Sequence, residues 1–175
     1  HDPLVQASNA CCKALVEVDG IPMLQRVMSA LQRSECVGDI LLSGPAREQM
    51  ASNAFLESAL NKRQINWLAP QNSPSSSAYQ AMQHLPPNSP ALLTTADHPL
   101  LTAEIVDYFL GNALQTGADL AVGVISFSAI TEKFPHAKKT VTRLRDGGYC
   151  GCNLFAFLTP QSRRVAAAWR RVEQQ

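Results

Sequence analysis

Hydrophobic residues recur along this chain in two alternating patterns, one typical of buried strands and the other of amphipathic helices. Short apolar runs bounded by turn residues are typical of strands, whereas apolar residues that recur every three or four positions indicate helices. Strands are therefore predicted at residues 13–18, 39–44, 65–70, 91–97 and 119–126. The segments between them are predicted to form helices at residues 22–33 and 46–60, a loop that enters a helix at 71–85, and a helix at 102–114.

The last third of the chain continues this alternation and then departs from it. A short helix is predicted near residues 129–134. The segments TVTRLRD and YCGCNLFAF predict a pair of strands that turn at Gly147 and Gly148, and a helix with a basic outer face follows at residues 160–172. Strands that alternate with helices predict an α/β domain with a mostly parallel sheet, to which the final strand pair adds an antiparallel member.

Length and composition limit the class of protein. A chain of 175 residues with 46% hydrophobic and 17% charged residues fits one compact domain over residues 1–175. A net charge of +1 gives no electrostatic reason to expect nucleic acid or an anionic membrane as a partner. No apolar run approaches the roughly 18 residues that a membrane-spanning helix needs.

The cysteines argue for a reducing compartment. There are five, an odd number, and their spacings lack the paired C-x-x-C arrangement of zinc sites. We therefore expect reduced, mostly buried thiols in a cytoplasmic protein.

Asp97 stands directly after an apolar run, where a buried strand is expected to end, and Pro99 then turns the chain. In open parallel sheets, ligands bind outside the carboxyl ends of the strands. Asp97 is therefore either a ligand-binding carboxylate or a turn residue that accepts hydrogen bonds from nearby backbone N–H groups. Its spacing alone leaves both interpretations open.

Two further residues have the same ambiguity. Asn153 interrupts the strand-like run CGCNLFAF, although asparagine is depleted in strands. Its side-chain oxygen could serve a hard cation as a neutral ligand, or the residue could mark a bulge or an edge. Lys13 precedes the first predicted strand and is either a solvated lysine or a phosphate contact.

A cluster of serines occurs where the helix of residues 71–85 is expected to begin. Helix N-termini bind phosphate and other anions readily, but plain capping explains serines there equally well. Ser77 with Gln80 matches a capping box. The cluster comprises Ser73, Ser75, Ser76 and Ser77.

Other polar residues near Asp97 or on the last strand pair are weaker candidates. His98 is expected to point to the opposite face from Asp97 in an extended segment, and so to pack rather than to act as a base. Lys138 and Lys139 form either a solvated loop or a basic lip over a phosphate pocket.

Four segments, in this order, resemble the nucleotidyltransferase family that includes molybdenum cofactor guanylyltransferase-like (MobA-like) proteins and the sugar-phosphate nucleotidyltransferases. They are KALVEVDGIPMLQRVMSAL, WLAPQNSPSSSAYQAM, LLTTADHPLLTAEIVDYF and GYCGCNLFAF, and they extend over residues 13–157. The resemblance implies a three-layer, Rossmann-like nucleotide-diphospho-sugar transferase fold, with helices on both faces of a mostly parallel mixed sheet.

The same resemblance implies a reaction and roles for particular residues. The reaction is Mg²⁺-dependent transfer of a nucleoside monophosphate from a nucleoside triphosphate to a phosphorylated small-molecule acceptor, with release of pyrophosphate. Lys13 matches the catalytic lysine that contacts the phosphates, Asp97 the catalytic magnesium ligand, and Asn153 the late polar residue of the metal site. By the same match, nucleotide-binding residues near the base or ribose are Ser75, Ser76 and Ser77.

One part of the family pattern is not found. The family begins with a strand and a glycine-rich loop of the form L-A-A/G-G-x-x-x-R, whereas this chain begins HDPLVQASNACC. We expect that loop to lie before His1. If it is absent, the alternative is a degenerate, non-catalytic nucleotide-binding or interaction domain. A dinucleotide-dependent oxidoreductase is a further alternative, weakened because the chain contains no G-x-G-x-x-G motif.

Overall fold

The computed structural model describes residues 3–8, 10–51 and 53–173. Its helices are α1 (Pro3–Ser8), α2 (Met23–Arg33), α3 (Arg47–Ala51), α4 (Ala54–Asn61), α5 (Pro74–His84), α6 (Ala103–Gln115), α7 (Phe127–Lys133) and α8 (Arg163–Glu173). Its strands are β1 (Glu17–Val18), β2 (Ile21–Pro22), β3 (Leu41–Ser43), β4 (Asn66–Leu68), β5 (Ala91–Thr94), β6 (Leu120–Ser126), β7 (Thr142–Leu144) and β8 (Gly147–Phe157). Single turns of 3₁₀ helix lie at Lys13–Leu15 and Pro160–Ser162.

The first predicted strand is wrong in its extent. A 3₁₀ turn begins at Lys13, and within the predicted range only β1 forms a strand, which pairs antiparallel with β2. The residues between these strands, Asp19 and Gly20, have φ angles of 53° and 70°. An Asp-Gly pair with two positive φ angles is the signal for a tight hairpin turn, and it ends the strand early.

The single helix predicted at residues 46–60 is also wrong, because the chain forms α3 and α4 instead. Asn53 begins the second helix, where its side chain accepts a hydrogen bond from the backbone N–H of Leu56 at 3.1 Å. An asparagine cap of this kind starts a new helix rather than continuing the previous one.

In the described residues the strands form three separate sheets, β1-β2, β3-β4 and a four-stranded sheet in which β8 has the central place. β5 and β6 both pair antiparallel with β8, in the order β5-β8-β6, and β7 also pairs antiparallel with β8. In the described part of the chain, parallel pairing occurs only between β3 and β4. β5 and β6 run in the same direction, but they do not pair directly because β8 lies between them. Parallel pairing is therefore less frequent than the alternation of strands and helices in the sequence predicted.

Helices cover both faces of this sheet, as the three-layer prediction requires. Side chains of β8 alternate: Leu154 and Ala156 pack with α2 and α6, whereas Phe157 packs with α5 and α8. Phe157 is 2% exposed, and complete burial of a side chain of this size stabilises a fold by about 1.5–3 kcal/mol. A third cluster packs α2, α3 and α4 around β3 and β4. The α/β class with helices on both faces is therefore confirmed.

The cysteines differ from expectation in their burial. All five are free thiols, but only Cys150 is buried, while Cys11 and Cys36 are exposed. The exposed pair lies in irregular segments outside the helices and strands, where no neighbouring layer covers the side chains.

Within residues 3–8, 10–51 and 53–173, none of the helices combines the length and the apolar character that crossing a bilayer requires.

Candidate functional site

Asp97 is held in the turn that joins β5 to α6. The strand ends at Thr94, and the helix begins after Thr102, whose side chain accepts a hydrogen bond from the backbone N–H of Ile105 at 3.3 Å. The turn is anchored to the core by Leu101, which is 4% exposed and whose N–H donates to the carbonyl of His98 at 3.1 Å. Asp97 therefore projects from a well-anchored segment at the carboxyl end of a strand.

Lys13 reaches the same place from the other end of the chain. Its Nζ atom lies 2.6 Å from Oδ2 of Asp97, and the two side chains are 44% and 29% exposed. The 3₁₀ turn fixes the backbone of Lys13, because Ala14 and Leu15 pack against the cluster around β3 and β4. The structure thus brings together two of the residues that the sequence singled out.

The electrostatic balance keeps Asp97 ionised. Partial burial on its own raises the pKa of Asp97, but hydrogen bonds from Lys13 and from the side chain of Thr95 outweigh it, so that the pKa lies below its usual value. At neutral pH the site therefore pairs a carboxylate with an ammonium group. Thr95 was not singled out from the sequence, where one threonine in TTAD carries no distinguishing signal.

Asn153 lies at the same end of the β5–β8 pair as Asp97. Thr94, the last residue of β5, is in register with Leu154, so that Asn153 lies one position beyond the end of the pairing. Asn153 has a φ of 54° and is exposed, and the β6–β8 register shifts beside it. Asparagine tolerates this left-handed conformation better than most residues. The bulge interpretation is thus confirmed for its backbone, and its role as a metal ligand stays a prediction.

His98 has no hydrogen-bond partner for its buried Nδ1 atom among the residues that the structure describes. Burial lowers the pKa of His98, the carboxylate of Asp97 opposes this, and the positive charge of Lys139 adds to the lowering. The net direction favours a neutral imidazole at pH 7. Lys139 also lowers the pKa of Cys152, against the larger effect of burial, which raises it. The loop with Lys139 therefore lies close to this end of the sheet.

The serine cluster forms the start of α5, but not as the capping box predicts. Ser73 is the capping residue and accepts a hydrogen bond from the N–H of Ser76 at 3.2 Å. The prediction that Ser77 caps with Gln80 is wrong, because Pro74 already occupies the first helical position. Ser77 instead accepts a hydrogen bond from the N–H of Gln71 at 2.9 Å.

Ser75 and Ser76 have different surroundings. Ser75 is 3% exposed and its hydroxyl donates to the carboxylate of Glu173. Ser76 lines an open cavity of about 500 Å³ between α5 and α8, together with Tyr79 and Arg170. Lys13, Asp97 and Asn153 are not among the residues that line this cavity. The nucleotide-binding role of Ser75, Ser76 and Ser77 stays a prediction.

The magnesium site expected at Asp97 stays a prediction, and the residues present there can be compared with what that ion requires. No group of three or more His, Cys, Asp or Glu side chains that could hold a metal occurs in the described residues. Magnesium needs fewer protein ligands, since it is usually held by one or two carboxylates together with water and substrate phosphates. An ionised Asp97, already in contact with one cation, and the side-chain oxygen of Asn153 fit that requirement.

Comparison with known families identifies a relationship over most of the chain. The family model of the MobA-like NTP transferase domain matches residues 8–147. No curated protein matches the chain significantly.

Solved structures share the fold. A hypothetical transferase from Thermus thermophilus has 25% sequence identity and a TM-score of 0.69, and the match covers 99% of this chain and 71% of that chain. The 4-diphosphocytidyl-2C-methyl-D-erythritol synthase from Anaerococcus prevotii has 17% identity and a TM-score of 0.67, with 95% and 73% covered. A CMP:2-keto-3-deoxy-manno-octonic acid synthetase complexed with CTP has 13% identity and a TM-score of 0.61, with 89% and 70% covered.

Proposed function

The chain belongs to the MobA-like NTP transferase family, and from that premise we propose that it transfers a nucleoside monophosphate from a nucleoside triphosphate to a phosphorylated small-molecule acceptor, releasing pyrophosphate. The observation that supports this most directly is the contact between Lys13 and Asp97 at the carboxyl end of β5. An ionised carboxylate and an ammonium group, held at the end of the sheet where α/β proteins bind ligands, suit a triphosphate with its magnesium ion.

The chemistry requires little from a general base. An oxygen of the acceptor phosphate attacks the α-phosphorus of the triphosphate, and the bond from that phosphorus to the oxygen bridging to the β-phosphate breaks. The acceptor phosphate is already anionic, so no proton needs to be removed from it. The main obstacle is the repulsion among phosphate groups that must approach one another.

Residues of this chain address that repulsion. The ammonium group of Lys13 contributes a positive charge that would bind the phosphates, and it is 44% exposed and therefore accessible to them. Asp97 and Asn153 would hold Mg²⁺, which supplies further positive charge when it is bound. His98, whose pKa is lowered, would remain neutral at pH 7 and would add no charge to the site.

Family membership favours a transferase over the dinucleotide-dependent oxidoreductase considered above, and the identity of the nucleotide remains to be tested. One of the similar structures is complexed with CTP, which makes CTP the first nucleotide to test, followed by GTP, ATP and UTP. The assay is pyrophosphate release from each triphosphate with Mg²⁺, against a panel of sugar phosphates and other phosphorylated acceptors. Release that requires one triphosphate, one acceptor and Mg²⁺ supports the proposal.

Pyrophosphate release, compared with nucleotide binding, separates the transferase from a degenerate nucleotide-binding domain. Both would raise the melting temperature when a triphosphate and Mg²⁺ are added, because both bind the nucleotide in the folded state. Only the transferase would also release pyrophosphate. A melting temperature raised by NAD but unchanged by all four triphosphates would contradict the proposed function.

A further inference from the structure

Two strands share one edge of β8 and leave a gap between them. β5 pairs with Leu154–Phe157 and β7 with Gly147–Tyr149, while β6 occupies the opposite edge. Both β5 and β7 run antiparallel to β8, so that the carboxyl end of β5 points towards the amino end of β7. The chain that leaves β5 towards Asp97 therefore approaches the chain that enters β7.

Extrapolating the strand register beyond the paired residues indicates which parts of the chain approach this gap. Continuing the β5 pairing by one residue sets Thr95 level with Asn153, since Thr94 pairs with Leu154. Thr142 pairs with Tyr149, and continuing that register towards the start of the chain sets Lys139 level with Cys152. The loop that carries Lys139 thus lies beside the turn that carries Asp97. The electrostatic influence of Lys139 on His98 and on Cys152 agrees with this placement.

Lys139 is chemically available at this place. Its side chain is exposed, and among the described residues it forms no ion pair, whereas Lys13 is paired with Asp97. The nearest acidic residue in the hairpin between β7 and β8 is Asp146, whose carboxylate accepts a hydrogen bond from Tyr149 at 3.1 Å. Lys139 is therefore a positive charge, without a carboxylate partner in the described structure, next to a site that must bind several phosphates.

The two lysines are associated with different sheets. Residues next to Lys13 pack against the cluster around β3 and β4, and α5, with the serine cluster at its start, contacts β3. Lys139 precedes β7, which belongs to the sheet of β5, β6 and β8. Asp97 follows β5 of that second sheet and contacts Lys13. A triphosphate bound towards Lys13 and the serines would leave the side of Lys139 for the second substrate.

We propose that Lys139 binds the phosphate group of the acceptor, on the opposite side of Asp97 from Lys13. This inference rests on the proposed function, and it identifies the part of the site that selects acceptors with a phosphate group. Of the two interpretations of the loop with Lys138 and Lys139, the inference favours a basic lip over a phosphate pocket rather than a solvated loop.

The test measures phosphate binding when the nucleotide site is already filled. The full chain is saturated with Mg²⁺ and an α,β-methylene analogue of CTP, in which a P–C bond that cannot be cleaved replaces the P–O bond that breaks in the reaction. Inorganic phosphate is then titrated by calorimetry. If CTP does not bind, the corresponding analogue of the triphosphate that does is used. The variants are Lys139→Ala and Lys139→Arg, and Lys62→Ala at the end of α4 is the matched control.

We expect Lys139→Ala to weaken phosphate binding about tenfold or more, as loss of a charge-assisted hydrogen bond implies. Affinity for the CTP analogue should change by less than about twofold, Lys139→Arg should recover most of the phosphate binding, and Lys62→Ala should change neither. Melting temperatures should be unaffected because Lys139 is exposed.

Unchanged phosphate affinity in Lys139→Ala would overturn the inference. Equal loss of phosphate and nucleotide binding would also overturn it, since Lys139 would then serve the triphosphate. If the wild-type chain binds none of the four triphosphates, the proposed function itself fails and the acceptor assignment fails with it. That outcome is distinct, because it is seen before any variant is made.

Discussion

The Nζ atom of Lys13 lies 2.6 Å from the Oδ2 atom of Asp97. The two residues are distant in the sequence: Lys13 begins a 3₁₀ turn, and Asp97 follows β5. A pair this exposed contributes little to stability, because solvent screens it and two side chains lose conformational freedom. Its value to the fold is therefore small, and we attribute its presence to ligand binding.

Asp97→Asn should abolish turnover while leaving the fold intact. The substitution keeps the shape of the side chain but removes the charge that would hold Mg²⁺, and we expect a loss of about a hundredfold or more in the rate of pyrophosphate release. Stability should fall by less than about 1 kcal/mol, as for other exposed ion pairs. The measurements are the rate with saturating Mg²⁺ and the thermal melting curve. Asp39→Asn, at an exposed aspartate, is the control and should behave as wild type. Wild-type rates in Asp97→Asn would refute the assignment.

Lys13→Met should change how stability depends on pH. The folded-state pKa of Asp97 is lowered, so the unfolded chain binds the proton more readily, and the contribution of Asp97 to stability is present above its usual value of 3.8. That contribution is lost as the pH falls below 3.8 and through the lowered pKa. Without the ammonium group the lowering diminishes, and the curve of unfolding free energy against pH between about 2 and 4 should become flatter. Urea unfolding at a series of pH values gives this curve.

The same variant should bind nucleotide less well. Loss of one phosphate-contacting charge is expected to raise the triphosphate concentration needed for half-saturation by about tenfold, and Lys13→Arg should recover part of it. A Lys13→Met variant with wild-type nucleotide affinity but an altered pH curve would show that the lysine serves only its carboxylate partner.

Most of the secondary structure could be predicted from the sequence because periodicity and capping are local properties. The helix predicted at residues 102–114 shows this, since α6 extends over Ala103–Gln115 and is capped by Thr102. The pairing of β8 between β5 and β6 could not be predicted, because strands that are distant in the sequence pair according to how all the layers pack. The hairpin at Asp19 and Gly20 was predictable from its residues, but the apolar run that contains β1 obscured it.

The candidate site shows the same division. Asp97 could be identified because it ends a predicted strand of apolar and small residues, and the family resemblance placed Lys13 beside the same ligand. The sequence left the position of Lys139 open between two interpretations, because the position depends on the β7–β8 register and on which edge of β8 is free. Residues whose role depends on strand order are beyond what a single sequence can predict.

The backbone and side-chain roles of Asn153 can be tested separately by two substitutions. At a φ of 54°, glycine fits at least as well as asparagine, whereas alanine is strained by about 1 kcal/mol. If the side-chain oxygen is a metal ligand, Asn153→Gly and Asn153→Ala should both lose activity, and only Asn153→Ala should also lose stability. The measurements are pyrophosphate release as a function of Mg²⁺ concentration and urea unfolding. An active Asn153→Gly variant would show that Asn153 serves only the conformation of the bulge and is not a metal ligand.

Gly123 in β6 should be sensitive to substitution, for a steric reason. A Cβ atom added there would lie 3.1 Å from Cβ of Leu154 and 3.5 Å from the ring of Phe109, at the point where the β6–β8 register shifts. Leu154 is 2% exposed and cannot move away without disturbing the core, so we expect Gly123→Ala to destabilise the fold by about 1–3 kcal/mol.

Gly111 in α6 provides the matched control, because an added Cβ atom there meets nothing within 4 Å. Gly111→Ala should stabilise the fold by about 0.5–1 kcal/mol, the usual gain when alanine replaces glycine within a helix. Urea unfolding of both variants measures the two effects with opposite signs. If Gly123→Ala is as stable as wild type, β6 must be able to move away from β8, and the strand register next to Asn153 would then have to be revised.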